Sequence, residues 1–141
     1  MASLHRKLEA FVGRWRVEGK TFASAPDECD TPVRGEESYE LLPGGFFLVS
    51  RFDRATGDGK QIGTRVIGAG SASFRCDNFD QLGHRTYDVW VEGNQWTFTG
   101  DHERARQTFD ASGESFDIAW ETSQDGDAWK PLCSLRATRV S

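Results

Sequence analysis

From residue 14 onward the chain is cut into short pieces by turn-forming residues: Pro43-Gly44-Gly45, Thr56-Gly57-Asp58-Gly59, Gly68 to Gly70, Gly93-Asn94, Ser112-Gly113 and Asp125-Gly126. Glycine and asparagine accept the backbone angles that tight turns require, so each cluster marks a reversal of the chain. Between them no segment sustains the apolar period of a helix. The pieces read as strands, and short links make consecutive strands antiparallel neighbours. Counting them gives about ten. The exception is the start, residues 1–12, where Leu4, Leu8, Phe11 and Val12 recur at helical spacing behind Ser3 as a candidate N-cap, with Gly13 placed to end the helix. One long connection, Ala23 to Arg34, carries Cys29, two prolines and several acids and reads as a surface loop.

Turn positions also fix register, because residues directly opposite in a hairpin share a face. A two-residue loop at Ser112-Gly113 sets Phe109 against Phe116, Gln107 against Ile118 and Ala105 against Trp120, with Arg104 facing Glu121 on the other side. A loop at Asp125-Gly126 puts Trp129, Pro131, Cys133, Leu135, Ala137 and Arg139 on the same inner face. Loops at Gly93-Asn94 and Gln81-Leu82 bring Phe74, Cys76, Asn78, Tyr87, Val89, Trp96 and Phe98 inward. A turn at Pro43-Gly44 does the same for Glu37, Tyr39, Leu41, Phe46, Leu48, Ser50 and Phe52, while Phe47 and Val49 compete for that face and leave the register of 46–68 open. If the first strand rises from a floor at Trp15, even-numbered strands descend and the last returns Arg139 to that indole.

At 141 residues one domain spanning 1–141 is expected. A net charge of −5 argues against nucleic acid or an anionic membrane as partner, since both call for clustered Lys and Arg. Cys29, Cys76 and Cys133 are odd in number and form no CxxC pair, which points to reduced thiols and a cytoplasmic setting. No apolar run approaches the length of a membrane span.

Gly13-x-Trp15 on the first strand, Arg139 on the last, a preceding short helix and about ten meandering strands together resemble the calycin superfamily of lipocalin-like barrels. More narrowly, Trp96-Thr97-Phe98-Thr99-Gly100, Glu103-Arg104-Ala105, Trp120-Glu121 and Trp129-Lys130-Pro131-Leu132-Cys133 are similar to a bacterial family of uncharacterised calycin-like proteins. The resemblance implies an all-β fold: a single closed antiparallel up-and-down barrel, strands over 14–139, with the helix at its closed end. It also implies a small apolar or aromatic molecule held in the lumen. Nitrobindin, a haem-binding relative in the broad sense, resembles the chain at its GxW start but uses a histidine on its last strand as iron ligand. No histidine lies between Trp129 and Arg139; the inward residue there is Cys133. No cofactor and no metal are expected.

The register turns Glu37, Ser50, Asn78, Tyr87 and Gln107 inward in the upper half with Trp120 and Trp129, and sets Arg85 and Glu103 at the rim. A core filled with side chains would not turn so many polar groups inward, because each one left unsatisfied costs about 1–3 kcal/mol. A partly aromatic cavity explains them better, and about ten strands enclose more room than the roughly eight whose side chains just fill a barrel. Tyr39, Phe52, Phe74 and Cys133 complete the expected ligand-binding set. Gly13, Trp15 and Arg139 are structural. Trp90 falls on the outer face, where the N-terminal helix or a second copy could cover it, so a homodimer is possible. His84 and His102 lie in loops at the open end near Asp80, Asp101 and Glu103, without the spacing of a metal-ligand set.

These residues suit a non-enzymatic binding barrel, the ligand entering past Trp120, Trp129 and Arg85 and bonding to Glu37, Tyr87 or Gln107. The alternatives are an isomerase or cyclase using Glu37, Tyr87 or His102 as acid or base, and a packed barrel acting as an interaction module.

Overall fold

The computed structural model describes residues 4–23, 28–57, 59–69 and 73–140. Ser3, Asp58 and Gly70, named above in a cap and two turns, lie outside these residues, as does the side chain of Leu4. Ten strands follow a short N-terminal helix: β1 (Gly13–Thr21), β2 (Thr31–Leu41), β3 (Phe47–Thr56), β4 (Gly59–Ala69), β5 (Phe74–Asp80), β6 (Gly83–Glu92), β7 (Gln95–Thr99), β8 (Glu103–Phe109), β9 (Ser115–Thr122) and β10 (Lys130–Arg139). Each pairs antiparallel with the next, and β10 closes the barrel on β1. Among the described residues no helix is long and apolar enough to cross a membrane.

The hairpin arithmetic holds on most strands. Phe109 opposes Phe116 and Ala105 opposes Trp120, Val89 opposes Phe98, Cys76 opposes Tyr87 and Tyr39 opposes Ser50. Four details differ. The helix, Leu4–Phe11, is a 3-10 helix. Residues 31–34, assigned to a loop, belong to β2. Gly68, assigned to a turn, lies within β4, where an added Cβ would collide with the Phe47 ring. Phe46 precedes β3 and is 56% exposed instead of pointing inward.

The largest departure is in β10. The connection from β9 is longer than two residues, because the Asp125 carboxylate accepts the N–H groups of Asp127 (2.8 Å) and Ala128 (3.0 Å) and the Ser123 hydroxyl accepts that of Gly126 (2.8 Å). The pairing then shifts between Pro131 and Cys133, a bulge that reverses the facing of everything above it. Cys133, Leu135 and Ala137 keep their inner positions. Pro131 and Trp129 do not: Pro131 pairs with Glu121, and Trp129 lies on the outer wall beneath the Arg104 guanidinium, 4.2 Å from its ring centre. A proline, lacking an N–H for the ladder, is tolerated at such a break.

The closed end is a solid aromatic floor. Phe11 enters it from the helix, its ring centre 4.8 Å from Trp96, 5.2 Å from Phe109 and 5.4 Å from Tyr39. Gly13 carries a φ of 135°, open to glycine alone among common residues, and this bend turns the helix directly into β1. Trp15 is fully buried and donates its indole N–H to the Phe11 carbonyl at 2.9 Å. Arg139 stacks 4.2 Å over that indole and donates to the carbonyls of Val12, Ala10 and Gly113, so the last strand is tied to the first and to the helix. The helix therefore plugs the floor and leaves Trp90 52% exposed; the expected docking of the helix on Trp90 does not occur.

Candidate functional site

Above the floor the inward face changes character. Arg54 continues the inner row of β3 past Ser50 and Phe52, and Arg65 is the cross-strand partner of Ser50 on β4. Phe52 pairs with Gly63, and a side chain there would overlap the Phe52 ring, so the ring lies against bare backbone. Both guanidiniums stack over it, Arg54 at 5.0 Å and Arg65 at 5.2 Å from its centre. Buried cations over an aromatic face gain more than exposed ones, because water no longer competes.

The two arginines are satisfied differently. Arg54 donates through Nε (2.9 Å) and Nη2 to the Glu37 carboxylate, whose other oxygen accepts the Tyr39 hydroxyl at 2.7 Å. Burial acts to raise the Glu37 pKa, but Arg54, Arg65 and the Tyr39 hydrogen bond outweigh it and hold the carboxyl below its ordinary value. Arg65 is 8% exposed and donates Nε to Asn78 Oδ1 at 3.2 Å. Among the described residues no carboxylate lies within ion-pair distance of it.

From Asn78 a chain of hydrogen bonds crosses the open end. Asn78 Nδ2 and Gln61 Nε2 donate to Asp80 Oδ2 at 3.3 and 3.2 Å; Arg85 bridges Asp80 (2.7 Å) and Glu103 (2.8 Å); Glu103 also accepts the Tyr87 hydroxyl at 2.7 Å. Burial would raise the Asp80 pKa, but the Leu82 N–H, Gln61 and Arg85 lower it below the usual carboxylate range. Burial, then the bond to Glu103, pushes the Tyr87 phenol well above its ordinary value.

Between these groups lies a cavity of about 360 Å³, lined by the polar and charged side chains of Arg54, Gln61, Arg65, Asn78, Arg85 and Glu103 together with Tyr87, Trp120, Leu132 and Cys133, and by Thr21, Thr56, Gln81 and Leu82. Trp120 is braced by Tyr87 (5.3 Å between ring centres) and Phe98 (6.0 Å). Of the residues expected to bind ligand, Asn78, Arg85, Tyr87, Trp120 and Cys133 line this space. Glu37, Tyr39, Ser50, Phe52, Phe74 and Gln107 lie inward but beneath it, all under 5% exposed. Ser50 Oγ and Gln107 Nε2 are buried there without a hydrogen-bond partner, as is Arg85 Nε at the rim. Trp129 is outside the barrel.

The histidines stay away from the cavity. His84 faces outward, stacked on Phe79 at 4.5 Å and bonded to Asp77 at 3.0 Å; His102 meets the Ser123 carbonyl at 3.1 Å. Among the described residues no three His, Cys, Asp or Glu groups are placed to hold a metal. Nor do the residues fit a haem iron: no histidine lines the cavity, and burial pushes the Cys133 thiol up to about 11, away from the thiolate a ligand must be. Arg54 and Arg65 were missed in sequence. The turn at Thr56-Gly59 centres a hairpin that pairs Ser50 with Arg65, and continuing the parity of Phe52 reaches Arg54.

A model of the family described as "Protein of unknown function (DUF1579)" matches residues 2–130. The chain belongs to this family. Its fold is shared with solved structures of low sequence identity. Rv2717c from M. tuberculosis superposes with a TM-score of 0.68 at 13% identity, over 100% of this chain and 99% of that one. The S-type phycobiliprotein lyase CPES from Guillardia theta does so with a TM-score of 0.57 at 10% identity, over 99% and 94%. A search of curated proteins finds no match.

Proposed function

We propose that this DUF1579 member is a calycin-like barrel that binds a small, partly aromatic molecule at its open end. The observation that carries this reading is the cavity of about 360 Å³, within the size range of small-molecule sites, lined by two aromatic side chains and a set of polar and charged ones. Trp120 and Tyr87 supply the surface on which a flat ligand stacks, and burial of that surface supplies most of the affinity. The polar lining groups orient the molecule. A packed interaction module accounts less well for that space.

An enzyme on this scaffold has narrower support. That a phycobiliprotein lyase shares the fold lends it some weight. Of the three acid–base candidates, however, only Tyr87 lines the cavity; Glu37 has both oxygens engaged by Arg54 and Tyr39 beneath it. Binding is therefore the reading we favour.

Fluorescence titration with the neutral aromatic probe 2-naphthylacetamide tests it. The wild type should bind, Trp120→Ala should weaken binding roughly tenfold or more, as loss of a buried aromatic anchor does, and Trp129→Ala should leave it unchanged. No binding by the wild type, or no effect of Trp120→Ala, would overturn the reading.

A further inference from the structure

Among the described residues Arg65 is the one arginine of the cavity wall with no carboxylate at ion-pair distance. Arg54 is neutralised by Glu37, and Arg85 is shared between Asp80 and Glu103. Arg65 has an amide partner at Nε, an aromatic ring beneath it and the cavity in front. Glu37 offsets its charge only from beyond ion-pair distance and is already bound to Arg54, and a neutral amide returns little of what removing a guanidinium from water costs. Beside it, Ser50 is its direct cross-strand neighbour on the same inward face, and the fully buried Ser50 hydroxyl has no partner. A guanidinium with no ion pair of its own that lines open space makes a seat for an acceptor, and the unpartnered Ser50 hydroxyl lies beneath that seat, not in it.

We infer that the ligand carries a single carboxylate, seated on the Arg65 guanidinium at the inner end of the cavity, with its apolar or aromatic body running outward along Tyr87 and Trp120. This rests on the small-molecule reading above and names the chemical class of that ligand. A planar carboxylate matches the fork of guanidinium donors. A dianion fits less well. At the rim Asp80 and Glu103 share Arg85, which leaves one carboxylate in excess, so a second negative charge near the mouth is repelled. The same excess orients the molecule, acid end inward.

The test compares 2-naphthylacetate with its neutral isostere 2-naphthylacetamide by isothermal titration calorimetry. On the wild type the acid should bind roughly tenfold or more tighter than the amide, the scale of one charge-assisted hydrogen bond. In Arg65→Gln that ratio should fall to about one, the acid losing far more affinity than the amide, and Arg65→Lys should keep part of the preference. A crystal structure of the wild type with 2-naphthylacetate, which needs no variant to fold, should place the carboxylate within hydrogen-bond distance of Arg65. If the amide binds as well as the acid, or the carboxylate sits at Arg85, the carboxylate seat is wrong while the binding cavity stands. If neither probe binds the wild type, the cavity reading falls and the seat with it.

Discussion

Glu37→Gln isolates the ion pair at the centre of the barrel. The Glu37 and Arg54 side chains are 3% and 9% exposed, and the carboxylate accepts from the Tyr39 hydroxyl and from two nitrogens of Arg54. Glutamine has nearly the same shape, so no cavity term enters. What is lost is the negative charge, leaving two guanidiniums, 5.0 and 5.2 Å from the same Phe52 ring, without an anion between them. Removing one partner of a buried pair costs about 3–5 kcal/mol; an exposed pair such as Arg51 with Glu40 is worth roughly 0–1 kcal/mol. Against a total stability of about 5–15 kcal/mol, the buried loss is large. Urea unfolding followed by tryptophan fluorescence should show the midpoint falling at unchanged slope. Adding Arg54→Met removes the stranded charge and should recover much of the loss. A Glu37→Gln loss below about 1 kcal/mol, or a double variant as unstable as the sum of the two singles, would refute the reasoning. The acid limb provides a second check. Because the folded-state pKa of Glu37 lies below its ordinary 4.5, its contribution is complete above pH 4.5 and is lost as pH falls from there through the folded value. Glu37→Gln should lack that component of acid unfolding.

Two further outcomes follow from the same interior. Burial pushes the Cys76 thiol from 9.0 up to about 12, so its contribution is whole below pH 9 and drains away as pH rises toward 12; by pH 11 roughly 2–3 kcal/mol should be gone, and the alkaline slope of Cys76→Ala, measured by urea unfolding, should be smaller by about one proton. Gly63→Ala drives a methyl into the Phe52 ring and the Phe79 carbonyl oxygen; the backbone atom cannot swing away, so a loss of about 1–3 kcal/mol in urea unfolding is expected, and none would show that Phe52 does not lie on bare backbone.

Much of the fold was legible because hairpin parity is local: the centre of a turn decides which residues oppose one another for the length of both strands. That reasoning placed Phe74, Tyr87, Trp96 and Trp120 correctly and brought Arg139 back to Trp15. It failed at Trp129 because parity holds only while the ladder is unbroken. The bulge after Pro131 follows from a loop held open by Asp125 and Ser123, and no count of residues reveals it. Arg54 and Arg65 were within reach of the same rule through the turn at Thr56-Gly59. They were overlooked because cations are expected outside.

What the sequence by itself determined is the strand count, most registers, the inward face of each strand and the closure of the last strand on the first. These depend on turns and alternation, interactions between near neighbours. Only the tertiary structure decided which inward polar groups satisfy one another and which face open space. Glu37 finds Arg54, and Arg85 reaches Glu103, whereas Arg65 is left facing the cavity. Those pairings depend on the curvature and closure that bring side chains of different strands together across the lumen.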